Sequence, residues 1–465
     1  MEGDKQVCSI AATKRSLNVD ELIDNNPVGL FRWILFVLGF LAVLLDGYDS
    51  AIMSFVAPKL SQEWGLDVQT MGLILSAGFV GQALGAIGGG ALADRLGRRP
   101  MVLATVFGFG IMTLATAVAP HVTLIIAARM IAGAFLGAAI ANVAALVAEY
   151  APRRIRSFMT TLVLGGIGFG ATTGGMLSAW LIPAFGWKSV IVVGGILPVV
   201  LAFISLFGVP ESLKFMLLHK RGDASTVESI ARKIAHNLRS DENGLVLIYK
   251  ASKSEQPQVS SIRLVTAPAY RSSTIALWVT YFCVLFLIYI LVSWLPTLIM
   301  KQSGYDMSKS ALVASMYHLG GPIGSICIGW AMDRWNKKGV LITALVVAAI
   351  TLVLIGQLAQ QSSVLLGACA FLVGFCIIGE SIGLVAFSAS FYPTAARATG
   401  TGCMMMAGRI GASLSALAGA ALVLLGWPMS QLFLALIVPA LIAAACLSVV
   451  RPVNWSAPEL ILRQQ

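Results

Sequence analysis

Long apolar runs separated by short polar connections fill the chain from residue 30 to residue 449. A helix needs roughly 20 apolar residues to cross a bilayer. Twelve runs meet that length: 30–57, 70–93, 101–119, 122–148, 157–182, 187–208, 273–299, 308–331, 339–358, 362–390, 397–425 and 429–449. The pattern predicts an all-α membrane protein with twelve transmembrane helices. One long hydrophilic connection, 209–272, divides them into two sets of six. It carries Lys220-Arg221-Gly222-Asp223, a predicted amphipathic helix near Thr226–Leu238, and a polar linker from Ser252 to Ser261. Residues 1–29 are polar, and 16–26 are expected to form a short surface helix stopped by Pro27. No cleavable leader is expected, because no apolar core precedes the first span. The predicted divisions are an N-terminal tail 1–29, a six-helix bundle 30–208, a linker 209–272, a second bundle 273–450 and a C-terminal tail 451–465.

Charge orients these spans. An even span count puts both tails on one side. That side receives Lys5, Lys14, Arg15, Arg32, Arg95, Arg98, Arg99, Arg153, Arg154, Arg156, Arg334, Lys337, Lys338, Arg397, Arg451 and Arg463, together with the basic central connection. The other side receives only Lys59, Lys188, Lys301 and Lys309. The bias predicts that both termini and the linker are cytoplasmic.

Composition agrees with a membrane protein, at 58% hydrophobic and 11% charged residues. The net charge of +11 sits in the short connections, so it does not point to nucleic acid. Six of the seven cysteines lie in apolar runs and no Cys-x-x-Cys or Cys/His cluster occurs, so no metal site is expected. The chain has no Ser/His/Asp set and no phosphate loop, so an enzyme is not expected. No cofactor is expected beyond the proton as a coupling ion.

The two sets of spans repeat one another. Gly90-Ala-Leu-Ala-Asp94-Arg95 recurs as Gly329-Trp-Ala-Met-Asp333-Arg334, Tyr150-Ala-Pro152…Arg156 as Tyr392-Pro393…Arg397, and Pro58 as Pro296. The offsets are 239, 241 and 238 residues, which argues for duplication. Pro58 and Pro296 are expected to end the first and seventh spans. Two parallel six-helix repeats with a site between them describe a rocking carrier.

Asp46 and Asp49 interrupt the first apolar run at i and i+3, on one helix face. Each carboxylate costs roughly 2.5–3.5 kcal/mol at the centre of a bilayer. A span that retains two of them is expected to use them for protons or substrate.

Gly89-Gly-Ala-Leu-Ala-Asp94-Arg95-Leu-Gly97-Arg98-Arg99 resembles the loop 2–3 signature of the major facilitator superfamily, and Arg129…Gly133…Gly137 is similar to its fourth-span motif. Asp46-Gly-Tyr-Asp49 resembles the first-span signature of the aromatic acid:proton symporters. Ser293-Trp-Leu-Pro-Thr297, Phe391-Tyr-Pro-Thr394…Arg397-Ala-Thr-Gly400 and Gly408-Arg409-Ile-Gly411 look like that subfamily too. The resemblance implies proton-coupled uptake of a small aromatic carboxylate, such as hydroxybenzoate, benzoate or protocatechuate, through a bacterial inner membrane. A carrier of another organic anion (muconate, phthalate, quinate) is the alternative, and a membrane sensor on the same fold a lesser one. A monomer is expected.

A carrier of this kind needs an anion anchor, titrating acids and gates. Asp46, Asp49 and Glu380 are the candidate proton-coupling acids. Arg129 and Arg409 are the cations well within spans, and Arg409 is the preferred carboxylate anchor, because a guanidinium suits a bidentate carboxylate. At about 1.5 Å per residue, Arg129 and Asp49 come to similar depths, roughly 10 and 12 Å from the outer end. Arg129 is therefore expected to face Asp46 or Asp49. Arg409 and Glu380, at roughly 18 and 15 Å from the inner end, are expected to be able to pair as well. Candidates to line the ring slot are Asn142, Tyr48, Tyr281, Tyr289, Trp294, Tyr317 and His318. Asp94, Arg95, Arg98, Arg99, Glu149, Arg156, Asp333, Arg334 and Arg397 are expected to form the inner gate.

Overall fold

The computed structural model describes residues 16–218, 224–234, 246–248, 265–266, 268–358, 362–392 and 397–450. Among the described residues, twelve helices are long and apolar enough to cross a membrane: Leu30–Trp64, Val68–Leu96, Arg98–Val118, Val122–Tyr150, Phe158–Phe185, Trp187–Gly208, Arg271–Lys301, Met307–Arg334, Lys337–Gln357, Ser363–Phe391, Thr399–Leu424 and Ser430–Val449. They are numbered first to twelfth below.

Two predicted helix ends are corrected. Pro58 and Pro296 lie inside the first and seventh helices, which run on to Trp64 and Ser303. Each proline removes one backbone donor, but within packed membrane helices that local loss is tolerated and does not end the element. The first helix stops instead at Gly65, whose φ of 62° is left-handed. Gly304, with φ 67°, follows the seventh helix at the same offset that separates Asp94 from Asp333. Asp67 and Asp306 then accept from the backbone N–H groups of Thr70 and Lys309, and so cap the second and eighth helices at that offset again.

Packing repeats as the sequence does. In the first half, the first helix lies against the fifth, the second against the fourth and the third against the sixth. In the second half, the seventh lies against the eleventh, the eighth against the tenth and the ninth against the twelfth. The halves meet along the second and eleventh helices, along the fifth and eighth, and along the first and seventh. Glycine sets the closest of these approaches. A Cβ at Gly81 or Gly85 would run into the carbonyls of Met130 and Ala134 on the fourth helix. Such small-residue contacts are how helices associate where lipid offers no hydrophobic drive.

The basic end of the first half carries a cap. Val19–Asn25 is a helix begun by the Asn18 side chain, so the predicted surface helix is shorter than 16–26. Ser16–Asn18 instead pairs in parallel with Val246–Ile248 of the central connection. Val19, Leu22 and Ile23 share a buried cluster with Ile230, Ala231 and Ile234 of the helix Ala224–Ile234. Asp20 pairs with Lys214 at 2.7 Å, and Asp24 with Arg153 at 3.3 Å. The last residues of the predicted helix Thr226–Leu238, the linker 252–261 and the C-terminal tail 451–465 lie outside the described residues.

Candidate functional site

Asp49 and Arg129 form a buried bidentate ion pair, with N–O distances of 3.0 and 2.8 Å. Thr113 Oγ1 donates to the same carboxylate at 2.7 Å, and Arg129 Nη2 also donates to the Asp49 carbonyl at 3.3 Å. Asp49 is 0% exposed and Arg129 4%. The matching depths along the first and fourth helices therefore brought the right two elements together, and the partner is Asp49.

Asp46 is in a different situation. It is buried, its Oδ1 has no hydrogen-bond partner, and it lies within electrostatic reach of Arg409. Gly47 separates it from Tyr48 and packs against the backbone of Ile167 on the fifth helix. That contact fixes the rotation of the first helix and so the direction of both acids.

Arg409 does not pair with Glu380, which corrects the expected second ion pair. Arg409 Nη1 donates to Gln82 Oε1 of the second helix at 3.3 Å, and Gln82 Nε2 donates to Ser50 Oγ of the first helix at 3.0 Å. Glu380 is 0% exposed, and neither of its carboxyl oxygens has a hydrogen-bond partner. Gly379 packs against the eighth-helix backbone at Gly324, which fixes the rotation of this stretch and so the direction of its neighbour Glu380.

A cavity opens beside these groups. Ser50, Ser54, Gln82 and Arg129 supply its polar wall, and Met53, Leu75, Phe79 and Leu136 much of its apolar wall. Ser293 of the seventh helix contributes from the other half. The space free of protein atoms is about 360 Å³, counting the part that opens to solvent. Phe79 and Tyr289 meet edge to face across the halves next to it, with centroids 4.6 Å apart. Ser50, Gln82, Thr113 and Ser293 were not among the candidate site residues read from the sequence, although Ser293 opens one of the subfamily-like motifs. The available signal was a polar side chain inside an apolar span, at the depth of the charged ones.

The sequence profile of the Major Facilitator Superfamily matches residues 39–321 and 277–461. The chain belongs to the major facilitator superfamily. Among its relatives, the 4-hydroxybenzoate transporter PcaK of Pseudomonas aeruginosa is 37% identical over 94% of this chain and 96% of its own length. The gallate transporter of Pseudomonas putida is 39% identical over 92% of this chain and 94% of its own length. The benzoate transport protein of Acinetobacter baylyi is 32% identical, over 96% of this chain and 95% of its own length. Solved structures share the fold. A D-xylose-proton symporter superposes with a TM-score of 0.70 at 16% identity, covering 92% of this chain and 99% of that one. An inward-facing bacterial homologue of the lysosomal transporter Spinster superposes with a TM-score of 0.69 at 15% identity, covering 94% and 99%. Members of this superfamily are carriers rather than enzymes, and this one is a multi-pass membrane protein.

The superfamily signature forms a network centred on Arg98. Its guanidinium contacts Asp94 at 2.9 Å, Glu149 at 3.7 Å and Asn142 Oδ1 at 3.3 Å. Asn142 also donates to Ala138 O and Gly89 O, so it belongs with this basic-end network and lies away from the Arg129 cavity. Glu211, also missed in the sequence, accepts from the backbone N–H groups of Arg98 and Arg99 at 2.9 and 3.2 Å. Those N–H groups begin the third helix, where a carboxylate offsets the positive end of the dipole. Arg99 donates to Leu206 O and Arg156 to Ala151 O. Arg95 lies just ahead of this network. Arg334 sits over the Trp330 ring at 5.9 Å, while Asp333 and Arg397 are exposed. The ion pairs of Arg98 thus fall within the first half.

Several aromatic candidates use their polar tips inside one half of this facilitator. Tyr48 donates to Val190 O at 2.9 Å, Trp294 to Ala416 O at 3.0 Å and Tyr317 to Ile288 O at 3.3 Å. Tyr281 packs against Gly408, beside Arg409. His318 is buried between the halves, with ring centroids 5.4 Å from Tyr317 and 6.3 Å from Phe55.

Proposed function

We propose that this facilitator takes up a small aromatic carboxylate together with protons, by alternating access across a bacterial inner membrane, with its basic face and both termini cytoplasmic. The observation that carries the reading is the cavity between the halves, walled by Arg129 and Gln82 and flanked by Asp46, Asp49 and Arg409. The substrate class follows from the relatives, whose names specify 4-hydroxybenzoate, gallate and benzoate. In this reading Arg409 receives the carboxylate, because its present ligand is a neutral amide. Asp46 exchanges the proton, since one of its oxygens is unsatisfied. Asp49, satisfied by Arg129 and Thr113, holds the first and fourth helices together.

Alternating access is supported by where the halves touch. Ser308 Oγ donates to Ala179 O at 2.7 Å and Gly72 lies against Ala420, all toward the end opposite the basic one. These contacts between the halves are what a rocking carrier would break and remake. The protein acts as a monomer.

Uptake of labelled benzoate, 4-hydroxybenzoate, protocatechuate and gallate by proteoliposomes tests the reading. An inward-directed proton gradient should drive accumulation of at least one acid, and a protonophore should abolish it. Accumulation of none, or accumulation indifferent to the gradient, would contradict it.

A further inference from the structure

Gln82 spans the two halves beside the cavity. It is 4% exposed, accepts from Arg409 on one side and donates to Ser50 on the other. Arg409 orients the amide: the guanidinium offers only donors, so Oε1 faces it and Nε2 is left to Ser50, whose hydroxyl can accept. The reverse orientation would set an N–H₂ group against the donors of Arg409, which carries no acceptor. The neighbouring glycines explain why the side chain stays there. Gly81 and Gly85 are pressed against the fourth helix, and the Gln82 carbonyl faces Gly137. The second helix therefore cannot rotate to withdraw Gln82 without breaking its tightest contact.

An amide oxygen is a neutral acceptor, whereas a carboxylate can take two parallel N–H bonds from a guanidinium and adds the attraction of opposite charges. An acid entering the cavity thus competes favourably for Nη1. A leucine at this position would leave a partly buried donor of Arg409 without this acceptor. A glutamate would bind Arg409 as an ion pair and oppose every incoming anion.

We infer that Gln82 is a positioning residue and placeholder: it presents Arg409 to the cavity on a weak ligand that the substrate carboxylate displaces, which releases the tie between the second and eleventh helices. This rests on the reading of Arg409 as the anion anchor.

The test is equilibrium binding of labelled 4-hydroxybenzoate, benzoate and gallate to the purified protein in nanodiscs, for wild type, Gln82→Glu and Gln82→Met. Gln82→Glu should raise Kd about tenfold or more, with thermal stability kept, because the new carboxylate holds Arg409. Gln82→Met keeps the volume and removes the acceptor, so Kd should fall severalfold. A purely structural role predicts weaker binding or no change in both. Loss of binding in Gln82→Met, or an unchanged Kd in Gln82→Glu, would overturn the inference alone. If Gln82→Glu does not fold, Gln82→Met decides by itself: a lower Kd supports the placeholder, and an equal or higher one refutes it. Failure of the wild type to bind any of the acids would overturn the proposed function, and this inference with it.

Discussion

Asp46 and Asp49 stand three residues apart on one helix, and neutralising them should have very different consequences for stability. Asp49→Asn removes the carboxylate that Arg129 contacts with both terminal nitrogens and that Thr113 also engages. The arginine side chain, 5% exposed, is then left as an uncompensated buried cation. Removing one partner of such a pair costs about 3–5 kcal/mol. Asp46 offers an Oδ1 with no hydrogen bond to lose, so Asp46→Asn should change stability by about 1 kcal/mol or less. The double variant Asp49→Asn/Arg129→Gln carries no buried charge at the site and should recover part of the loss. The assay is thermal unfolding of the purified protein in one detergent at one scan rate, because membrane proteins unfold irreversibly and the midpoint then depends on rate. Asp49→Asn should show the lowest midpoint, the double variant should exceed it, and Asp46→Asn should stay near wild type. Equal destabilisation by the two single changes, or a double variant that loses the sum of its parts, would refute the assignment of a structural pair and a free acid.

Other outcomes follow from the same contacts. Arg32 is buried and donates to the carbonyls of Ile23 and Asn26 at 3.0 and 2.7 Å, and to that of Pro27, so Arg32→Met should release the N-terminal cap and raise its rate of cleavage in limited proteolysis. Glu211→Gln removes the charge at the start of the third helix, which is worth about 0.3–1 kcal/mol, and should slow transport while leaving substrate Kd within twofold of wild type. Trp294→Phe loses one hydrogen bond to Ala416 O, worth about 0.5–1.5 kcal/mol, and should lower the unfolding midpoint without changing which acids are transported.

Depth along the membrane was legible in the sequence, and rotation about each helix axis was not. Twelve apolar runs fixed how far each residue lies from a helix end, and that alone matched Arg129 to the turn carrying Asp46 and Asp49. Gln82 could have been found in the same way: at about 1.5 Å per residue it lies roughly 21 Å from Leu96, close to the depth of Arg409. The same arithmetic failed for Glu380, since Gly379 against Gly324 decides which way that stretch of the tenth helix faces. Asn142 shows a related limit. An amide within a span suggested a substrate ligand, but its distance from the basic end puts it in reach of Arg98. The proline positions were misread because helix propensities measured in water overstate what proline does in lipid. Ser16–Asn18 pairing with Val246–Ile248 joins segments too far apart for any local pattern to announce.

The most direct measurement compares wild type with Asp46→Asn in proteoliposomes, once under an imposed proton gradient and once in substrate exchange with no gradient. The account predicts that the variant still exchanges labelled aromatic acid but no longer accumulates it. Gradient-driven accumulation at the wild-type level in Asp46→Asn would contradict it.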